Sequence, residues 1–175
     1  GAFDLDRARR PVDEAIAAVG DATHQPVVIA RFNEIRDNGF AGIDLGGDVS
    51  MLSLFENNMI SNNWRGIESS SPVTVAFNAI VHNVYGGVIT HYGSAASEAT
   101  IAASNWWGAA TGPWNAANPG GQGNAVNNNN MAPIDFSPWL GSGADGNGEE
   151  RGFVPTLAPL YYLPVGIKFS TEPAG

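Results

Sequence analysis

Phe32-Asn33-Glu34-Ile35 is the first of four similar stretches along the chain. The other three are Asn57-Asn58-Met59-Ile60, Phe77-Asn78-Ala79-Ile80 and Ser104-Asn105-Trp106-Trp107. The second residue is an asparagine each time, and successive asparagines are 25, 20 and 27 positions apart. In the first three stretches a second asparagine follows five positions later, and a glycine with a β-branched residue comes next, as in Gly42-Ile43. A repeat of this length predicts that each unit is one supersecondary element stacked on its neighbours.

Short strands are predicted throughout the repeat region, residues 27–108. Apolar or alternating runs such as Val27-Val28-Ile29 and Val73-Thr74-Val75 are separated by Gly, Asn, Asp and Ser, which favour turns. Units of about 24 residues are too short for a strand-helix-strand crossover, which needs roughly 30. The chain is therefore predicted to be all-β, with coils of short strands that stack at an inter-strand spacing of about 4.8 Å.

The repeated asparagines are predicted to form a ladder along the axis of the stack. One Asn per coil places its amide oxygen over the amide nitrogen of the next, so each side chain donates and accepts along the axis. Asn also tolerates the left-handed backbone conformation that a sharp corner requires. We therefore assign a structural role, rather than a role in ligand binding, to four residues: Asn33, Asn58, Asn78 and Asn105.

The pattern N-x-I-x-x-N followed by G-I resembles the repeat of right-handed parallel β-helix proteins. A second motif is similar to the terminal segment of many secreted β-helix repeat proteins of bacteria and archaea. Its parts are Ser104-Asn105-Trp106-Trp107-Gly108, Thr111-Gly112-Pro113, Asn118-Pro119-Gly120-Gly121 and Ile134-Asp135-Phe136-Ser137-Pro138-Trp139-Leu140. The resemblance covers about residues 27–140. It implies a short right-handed parallel β-helix of about three to four coils, located outside the cell or on its surface.

The first 26 residues are predicted to form a partial coil that contains a short helix. Ala2-Phe3-Asp4-Leu5 is similar to Gly42-Ile43-Asp44-Leu45, which indicates a strand of an earlier coil. Further on, Pro11 stands at a first helical position, and Ile16 and Val19 follow at helical spacing. Such a helix would cover the open end of the stack, where bare sheet edges need a cap.

Three segments follow the repeat region. Residues 109–140, rich in Gly, Asn, Pro and Trp, are predicted to form a long ordered loop whose tryptophans cap the core. Residues 141–152 have the composition of a flexible linker. Residues 153–175 are apolar and interrupted by proline, as in edge strands. Four side chains of this tail are candidates for assembly: Leu160, Tyr161, Tyr162 and Phe169.

Composition excludes several classes of partner. The 175 residues include eight Lys and Arg against 17 Asp and Glu, a formal net charge of −9. Nucleic acid and anionic membrane surfaces are therefore not expected as partners, because phosphate binding needs clustered cations. No apolar run approaches the roughly 20 residues that span a bilayer. Cysteine is absent, which excludes disulfides, thiolate catalysis and Cys-ligated metals.

Two acidic residues are the candidates for catalysis. Asp44 and Glu68 follow the Gly-Ile element in successive coils and are predicted to stack on one outward face, with Thr90 nearby. Glycoside hydrolysis uses two carboxylates that face one cleft, and a neighbouring like charge raises the pKa of one of them. We favour a solvated polar face of alternating strands. Pectate-lyase-like chemistry would also need a basic residue beside an acidic calcium cluster, and that pattern is not visible.

An aromatic residue occupies the same turn in each of three coils. A column of exposed rings could contact carbohydrate, yet stacked rings also stabilise coils without any ligand. We favour the stabilising role, and keep carbohydrate contact as the alternative. The three residues are Phe40, Trp64 and Tyr85.

No cofactor is predicted. His82 is interpreted as a turn residue and His91 as the end of a strand, and a lone histidine is more often structural than a ligand. Asp145, Asn147 and Glu149 alternate like the first oxygen ligands of a calcium loop. The twelve-residue calcium pattern then fails, because its sixth position lacks glycine. Calcium at these three residues is the alternative to no metal.

The sequence favours a non-enzymatic extracellular module with a structural or adhesive role. An incomplete first coil and an apolar tail indicate completion against removed upstream sequence, a following domain or a neighbouring subunit. Between subunits, strand addition would use the tail as the donated strand. A head-to-tail contact that does not close would build a filament or surface layer. The alternative is a polysaccharide-active enzyme or a carbohydrate-binding module, which would use the Asp44 and Glu68 face or the aromatic column.

Overall fold

In the computed structural model the described residues are 14–21, 23–91, 98–129, 133–156 and 160–161, and they contain no helix. The predicted all-β class is confirmed for these ranges, and no helix in them is long and apolar enough to cross a membrane. The strands in chain order are β1 (Glu14–Gly20), β2 (Ile29–Arg31), β3 (Glu34–Arg36), β4 (Ala41–Gly47), β5 (Leu54–Glu56), β6 (Met59–Ser61), β7 (Arg65–Ser69), β8 (Thr74–Ala76), β9 (Ala79–Val81), β10 (Gly86–Thr90), β11 (Thr100–Ile101), β12 (Val126–Asn127), β13 (Ile134–Asp135), β14 (Trp139–Leu140) and β15 (Leu160–Tyr161).

Three sheets with parallel pairing contain most of these strands. The first sheet has the order β1-β4-β7-β10-β12, the second β2-β5-β8-β11-β13 and the third β3-β6-β9. The chain visits the first, second and third sheets in turn and then returns to the first. We call one such pass a coil. Stacked parallel coils of this kind are consistent with the predicted parallel β-solenoid.

The core consists of inward columns of like side chains. In the first sheet Ile43, Ile67 and Val88 occupy equivalent positions of successive coils, and all three are fully buried. Phe55 and Val75 do the same in the second sheet. Because side chains alternate between the two faces of a strand, about every second residue contributes to this core. Stacking in register packs the interior of the described coils closely.

Sharp corners between the second and third sheets each hold one residue in the left-handed conformation. This residue directly precedes the ladder asparagine, so the prediction that the asparagine itself adopts that conformation is wrong. The asparagine instead turns its side chain towards the interior, where it bonds to the neighbouring coil. The left-handed residues are Phe32, Asn57, Phe77 and Ser104, with φ angles of 55°, 57°, 56° and 59°.

A continuous asparagine ladder runs along these corners. Nδ2 of Asn33 donates to Oδ1 of Asn58 at 3.1 Å, and Nδ2 of Asn58 donates to Oδ1 of Asn78 at 2.9 Å. Nδ2 of Asn78 continues the ladder to Oδ1 of Asn105 at 3.0 Å. The last three residues are fully buried, and their Nδ2 groups also donate to backbone carbonyls. The ladder thus supplies partners for its own buried polar groups.

A second ladder follows the corners between the third and first sheets. It joins Nδ2 to Oδ1 at 2.7, 3.0 and 3.0 Å along Asn38, Asn63, Asn83 and Asn124. The first three are the second asparagines of the sequence repeat. Asn124 stands 41 positions after Asn83, outside the repeat spacing, so its membership is not readable from the sequence.

Residues 14–20 form a strand where a helix was predicted. β1 pairs in parallel with β4, and Ile16 lies opposite Ile43. Ile16 is buried whereas Val19 is 81% exposed, which is the alternation of a strand. The helix prediction is wrong over this range because the edge of β4 offers backbone hydrogen bonds and an apolar column to β1. Residues 1–13, which include the rest of the predicted helix and the strand at residues 2–5, lie outside the described residues.

The segment predicted to cap the stack is ordered by side-chain bonds to its own backbone over its described part. Nδ2 of Asn118 donates to the carbonyls of Thr111 and Pro113, at 2.9 and 2.8 Å. Trp139 is buried in the core cluster, and its indole Nε1 donates to the carbonyl of Ala110 at 3.0 Å. The loop therefore has a fixed shape although it contains few strand residues.

Residues 141–156, which we call the strap, fold back along the side of the third sheet. Phe153 is 1% exposed and packs in a cluster with Ala79 and Leu140. The backbone N–H of Phe153 donates to the carbonyl of Asn57 at 3.0 Å. Residues 141–152, predicted from composition to be a flexible linker, are thus held against the coils by the buried ring that follows them.

Two residues of the tail pair within the same chain. β15 is antiparallel to β14, with Leu160 opposite Leu140 and Tyr161 opposite Trp139. The backbone of these two assembly candidates is therefore paired in cis. The other two candidates, Tyr162 and Phe169, lie outside the described residues, and their role in assembly stays a prediction.

Candidate functional site

Asp44 and Glu68 lie side by side on the outer face of the first sheet. They are register partners on β4 and β7, so a spacing of about 4.8 Å separates their strands. Ile89 continues this column on β10. Thr90, expected near the carboxylates, is instead buried and belongs to the neighbouring column. The acidic stack therefore has two members among the described residues.

Glu68 is bound by a guanidinium and an imidazole. Its Oε2 lies 2.5 Å from Nη1 of Arg65, and its Oε1 lies 2.6 Å from Nε2 of His91. The three side chains are between 14% and 22% exposed, so solvent screens these contacts less than those of a fully exposed ion pair. Nδ1 of His91 also lies 3.1 Å from Nδ2 of Asn129, which fixes the ring from its other side.

The half-buried position of Asp44 changes its acidity. Burial raises the pKa of its carboxyl group above the ordinary value, and the neighbouring Glu68 carboxylate raises it further. Arg65 and His91 act in the opposite direction, but their effect is smaller. Asp44 therefore holds a proton to higher pH than an exposed aspartate does.

Arg65 also lies between two aromatic rings. Its Cζ is 4.7 Å from the ring centroid of Phe40 and 5.2 Å from that of Tyr85, within the range of a cation–π contact. The rings of Trp64 and Tyr85 stack with centroids 6.1 Å apart and planes inclined by 21°. The structure thus brings the three predicted aromatic residues together. Arg65 and the rings themselves cover much of the ring faces, which favours the stabilising role.

Arg65 and His91 are members of this cluster that the sequence reasoning missed. Arg65 precedes Glu68 by three positions, and strict alternation along a strand would place the two on opposite faces. Burial along β7 departs from alternation, because Gly66 and Ile67 are both buried. His91 follows two positions after Ile89, the register partner of Glu68, so it shares the outward face. That signal becomes readable only when the register is known.

The chemical capacity of the cluster is limited by its own contacts. A carboxyl group with a raised pKa beside a second carboxylate is the pattern of an acid and base pair in glycoside hydrolysis. However, both oxygens of Glu68 are already bound, one by Arg65 and one by His91. An ion-pair network that holds neighbouring coils together accounts for these contacts without a substrate.

The calcium candidates serve the local structure of the strap. Oδ1 of Asp145 accepts hydrogen bonds from the backbone N–H groups of Asn147 and Val154, both at 3.1 Å. Among the described residues no group of three or more His, Cys, Asp or Glu side chains is placed to hold a metal ion. His82 is exposed at a corner, with a φ of 56°, which is the turn position that its place in the repeat indicates.

Comparison with known proteins gives no relative for this chain, since no protein-family model, no curated protein and no solved structure matches it. A function is therefore proposed from the geometry of the described residues.

Proposed function

We propose that this chain is a non-enzymatic structural or adhesive module of the cell exterior, built as a right-handed parallel β-helix of three to four coils that assembles end to end. The observation that carries the proposal is the edge of the first coil. β1, β2 and β3 are each the outermost strand of their sheet among the described residues. Unpaired strand edges are templates for the strands of another chain.

The same coil exposes apolar side chains. Val19 is 81% exposed, Ile29 is 59% exposed and Val27 is 50% exposed. At the opposite end of the stack, β12 and β13 are the outermost strands of the first and second sheets in the described part of the chain. A second copy that adds there keeps the parallel pairing, and such a head-to-tail contact builds a filament. The alternative partner is an adjacent domain that has exposed strand edges of its own.

The polar face of the first sheet supports a role without catalysis. Glu68 is engaged by Arg65 and His91, and Arg65 is covered by Phe40 and Tyr85. Each of these contacts links neighbouring coils or strengthens one. The extracellular location is supported by the similarity of residues 104–140 to the terminal segment of secreted β-helix repeat proteins.

Sedimentation velocity tests the end-to-end assembly. A variant with Val19→Lys and Ile29→Lys adds charge to the edge coil, which disfavours strand addition. The matched control carries Met51→Lys and Leu52→Lys, two residues of the next coil that are 50% and 73% exposed. The wild type and the control should sediment faster as concentration rises, and the edge variant should stay monomeric. A wild type that is monomeric at every concentration, or two variants that behave alike, contradicts the proposal.

A polysaccharide-active enzyme is the second candidate function. The raised pKa of Asp44 beside Glu68 favours it, because a protonated carboxyl group can act as a general acid. The test is turnover of neutral and acidic glycans by the wild type and by the Asp44→Asn and Glu68→Gln variants. Turnover that both substitutions abolish would replace the structural proposal, whereas an inert wild type removes the enzyme.

A further inference from the structure

A cavity of about 280 Å³ lies beside the last aromatic residue of the column. One wall is the corner that leads into β10, residues 82–86. The opposite wall is formed by residues 107–108 and 122–125. The lining residues include His82, Asn83, Tyr85, Gln122, Asn124 and Ala125. This volume is near the lower limit of small-molecule sites, roughly 300–1,000 Å³, so it suits one ring rather than a length of chain.

The cavity exists because one corner of the solenoid is shortened. Val88 follows the ladder residue Asn83 by five positions, whereas its register partner Val126 follows Asn124 by only two. Between Asn124 and Val126 there is room for Ala125 alone. The coil that follows Tyr85 therefore has no residue at this corner that could add the next aromatic ring to the column. The space beside Tyr85 stays open.

Tyr85 lines this space. On the side of the preceding coil its ring meets Trp64, at 6.1 Å, and Arg65, at 5.2 Å. On the side of the following coil the next residues are Asn124 and Ala125, which line the cavity with it. Tyr85 is 47% exposed. A ligand ring in the cavity would take the place of the missing aromatic and continue the stack.

The polar groups of the lining differ in their availability. The side chains of Asn83 and Asn124 are already engaged with one another. Oδ1 of Asn124 accepts from Nδ2 of Asn83, and Nδ2 of Asn124 donates to the backbone carbonyl of Asn83 at 2.8 Å. Within the described part of the chain, the side chains of His82 and Gln122 have no hydrogen-bond partner. Both can therefore bond to hydroxyl groups of a ligand. The described residues of the lining include no Asp, Glu, Lys or Arg, which favours an uncharged ligand.

The far wall is built before any ligand arrives. The backbone N–H of Gln122 donates to Oγ1 of Thr111 at 3.0 Å, and that of Gly123 donates to the carbonyl of Gly112 at 2.9 Å. Nδ2 of Asn118 binds the loop a third time through the carbonyl of Thr111. A preformed wall lowers the ordering cost of binding.

We propose that this cavity binds one uncharged pyranose ring. The sugar stacks on the face of Tyr85 that is opposite Trp64, and it receives hydrogen bonds from His82 and Gln122. Free monosaccharides and the terminal sugars of neutral glycans share this chemistry. Acidic glycans are disfavoured because the chain carries a net charge of −9. The site gives the module a means of adhesion that does not depend on end-to-end assembly.

Titration calorimetry with paired variants tests the site. The probes are glucose, mannose and N-acetylglucosamine, together with cellohexaose, mannohexaose and chitohexaose, and adenosine serves as an uncharged aromatic comparison. Tyr85→Ala should weaken sugar binding about tenfold, because it removes the stacking platform. The matched control Phe77→Asn removes a ring of similar exposure, 43% against 47%, at a corner outside the cavity lining. Asn57 occupies the same left-handed position one coil earlier, so this variant should fold, and binding should change less than about twofold.

Two milder substitutions keep the test independent of folding. His82→Asn gives this corner the residue that stands at the same left-handed position one coil earlier, Asn62 with a φ of 56°. Gln122→Ala should weaken binding several-fold because it removes one hydrogen bond, and His82→Asn should weaken it by a similar factor because the shorter side chain moves the donor away from the ligand. Asp37→Asn, at the equivalent corner two coils earlier with a φ of 60°, is the control and should leave affinity unchanged.

The two sources of the ring are separated by chain length. Free sugar that binds within about threefold of the hexamer identifies a monosaccharide site, and a hexamer that loses affinity when its terminal ring is reduced or methylated identifies a chain end. Either result supports the proposal. Stoichiometry that grows with chain length, equal losses in Tyr85→Ala and Phe77→Asn, binding of adenosine alone, or no binding by any sugar overturns it. Sedimentation of Tyr85→Ala should match the wild type in every case, so the assembly proposal is judged separately.

Discussion

Each interior asparagine of the ladder uses nearly all of its hydrogen-bonding capacity. Oδ1 of Asn78 accepts from both the backbone N–H and Nδ2 of Asn58, each at 2.9 Å. Nδ2 of Asn78 lies within bonding distance of the carbonyl of Phe55 and of Oδ1 of Asn105. A substitution therefore leaves several buried groups without partners, in two coils at once.

Asn78→Ala should lower the free energy of unfolding by about 3 kcal/mol, because each buried polar group left unpaired costs roughly 1–3 kcal/mol. Asn33→Ala is the matched control at the end of the ladder, where the side chain is only half-buried and donates to Asn58 and Arg31. It should cost about 1 kcal/mol. Urea unfolding measures both values, and equal losses would contradict a ladder that depends on its interior members.

Asp44→Asn should raise stability at neutral pH, and the gain should vanish in acid. Burial and the Glu68 carboxylate raise the pKa of Asp44 in the folded state above its ordinary value of 3.8, so the folded chain binds this proton more tightly than the unfolded chain does. Stability contributed by Asp44 is therefore greatest below pH 3.8 and is lost as the pH rises through the raised pKa. Asn resembles the protonated form of Asp, so the variant avoids this loss. Its gain in free energy of unfolding should be less than about 1 kcal/mol, because solvent screens the half-buried group.

Urea unfolding of Asp44→Asn and wild type across this pH range measures the effect. Asp48→Asn is the comparison variant, because it makes the same chemical change at an exposed aspartate of the same region. A gain from Asp44→Asn that is constant with pH would show that the proton on Asp44 is not its source.

At the scale of elements, the strands of the repeat could be read from the sequence because the same pattern recurs in each coil. β1 could not, because Ile16 and Val19 fit both a helical spacing and a strand once the edge of β4 is available. Its register partner is Ile43, and that pairing is a tertiary fact. The strap was missed for a similar reason, since the burial of Phe153 against Leu140 is invisible in a Gly-rich composition.

Paired substitutions in β1 distinguish a strand from a helix. Ile16→Ala should cost about 2 kcal/mol, because the side chain packs inward on the core. Val19→Ala should cost less than about 0.5 kcal/mol, since Val19 is 81% exposed. A helix with both residues on one packed face would instead show comparable losses, and chemical denaturation of the two variants decides between them.

At the scale of the whole molecule, the all-β class and the stacking of coils follow from the sequence because both depend on periodicity. The candidate site follows only in part. The spacing places Asp44 beside Glu68, but Arg65 reaches Glu68 through a break in alternation at Gly66. The cavity beside Tyr85 could not be predicted at all, because it results from a corner shortened at Asn124.

The proposed function depends on both ends of the stack, and end-to-end growth leaves a geometric mark. Copies that add in parallel to the outer edges of β1, β2 and β3 continue the inter-strand spacing of about 4.8 Å along the axis of the assembly. If the copies joined through their sides, the inter-strand spacing would not run along the axis of the assembly.

Electron microscopy with diffraction from aligned assemblies of the full chain is the most direct measurement. Head-to-tail stacking predicts unbranched filaments one solenoid wide, with a reflection at about 4.8 Å parallel to the filament axis. Single particles at every concentration, or filaments in which the 4.8 Å spacing does not follow the axis, would contradict it.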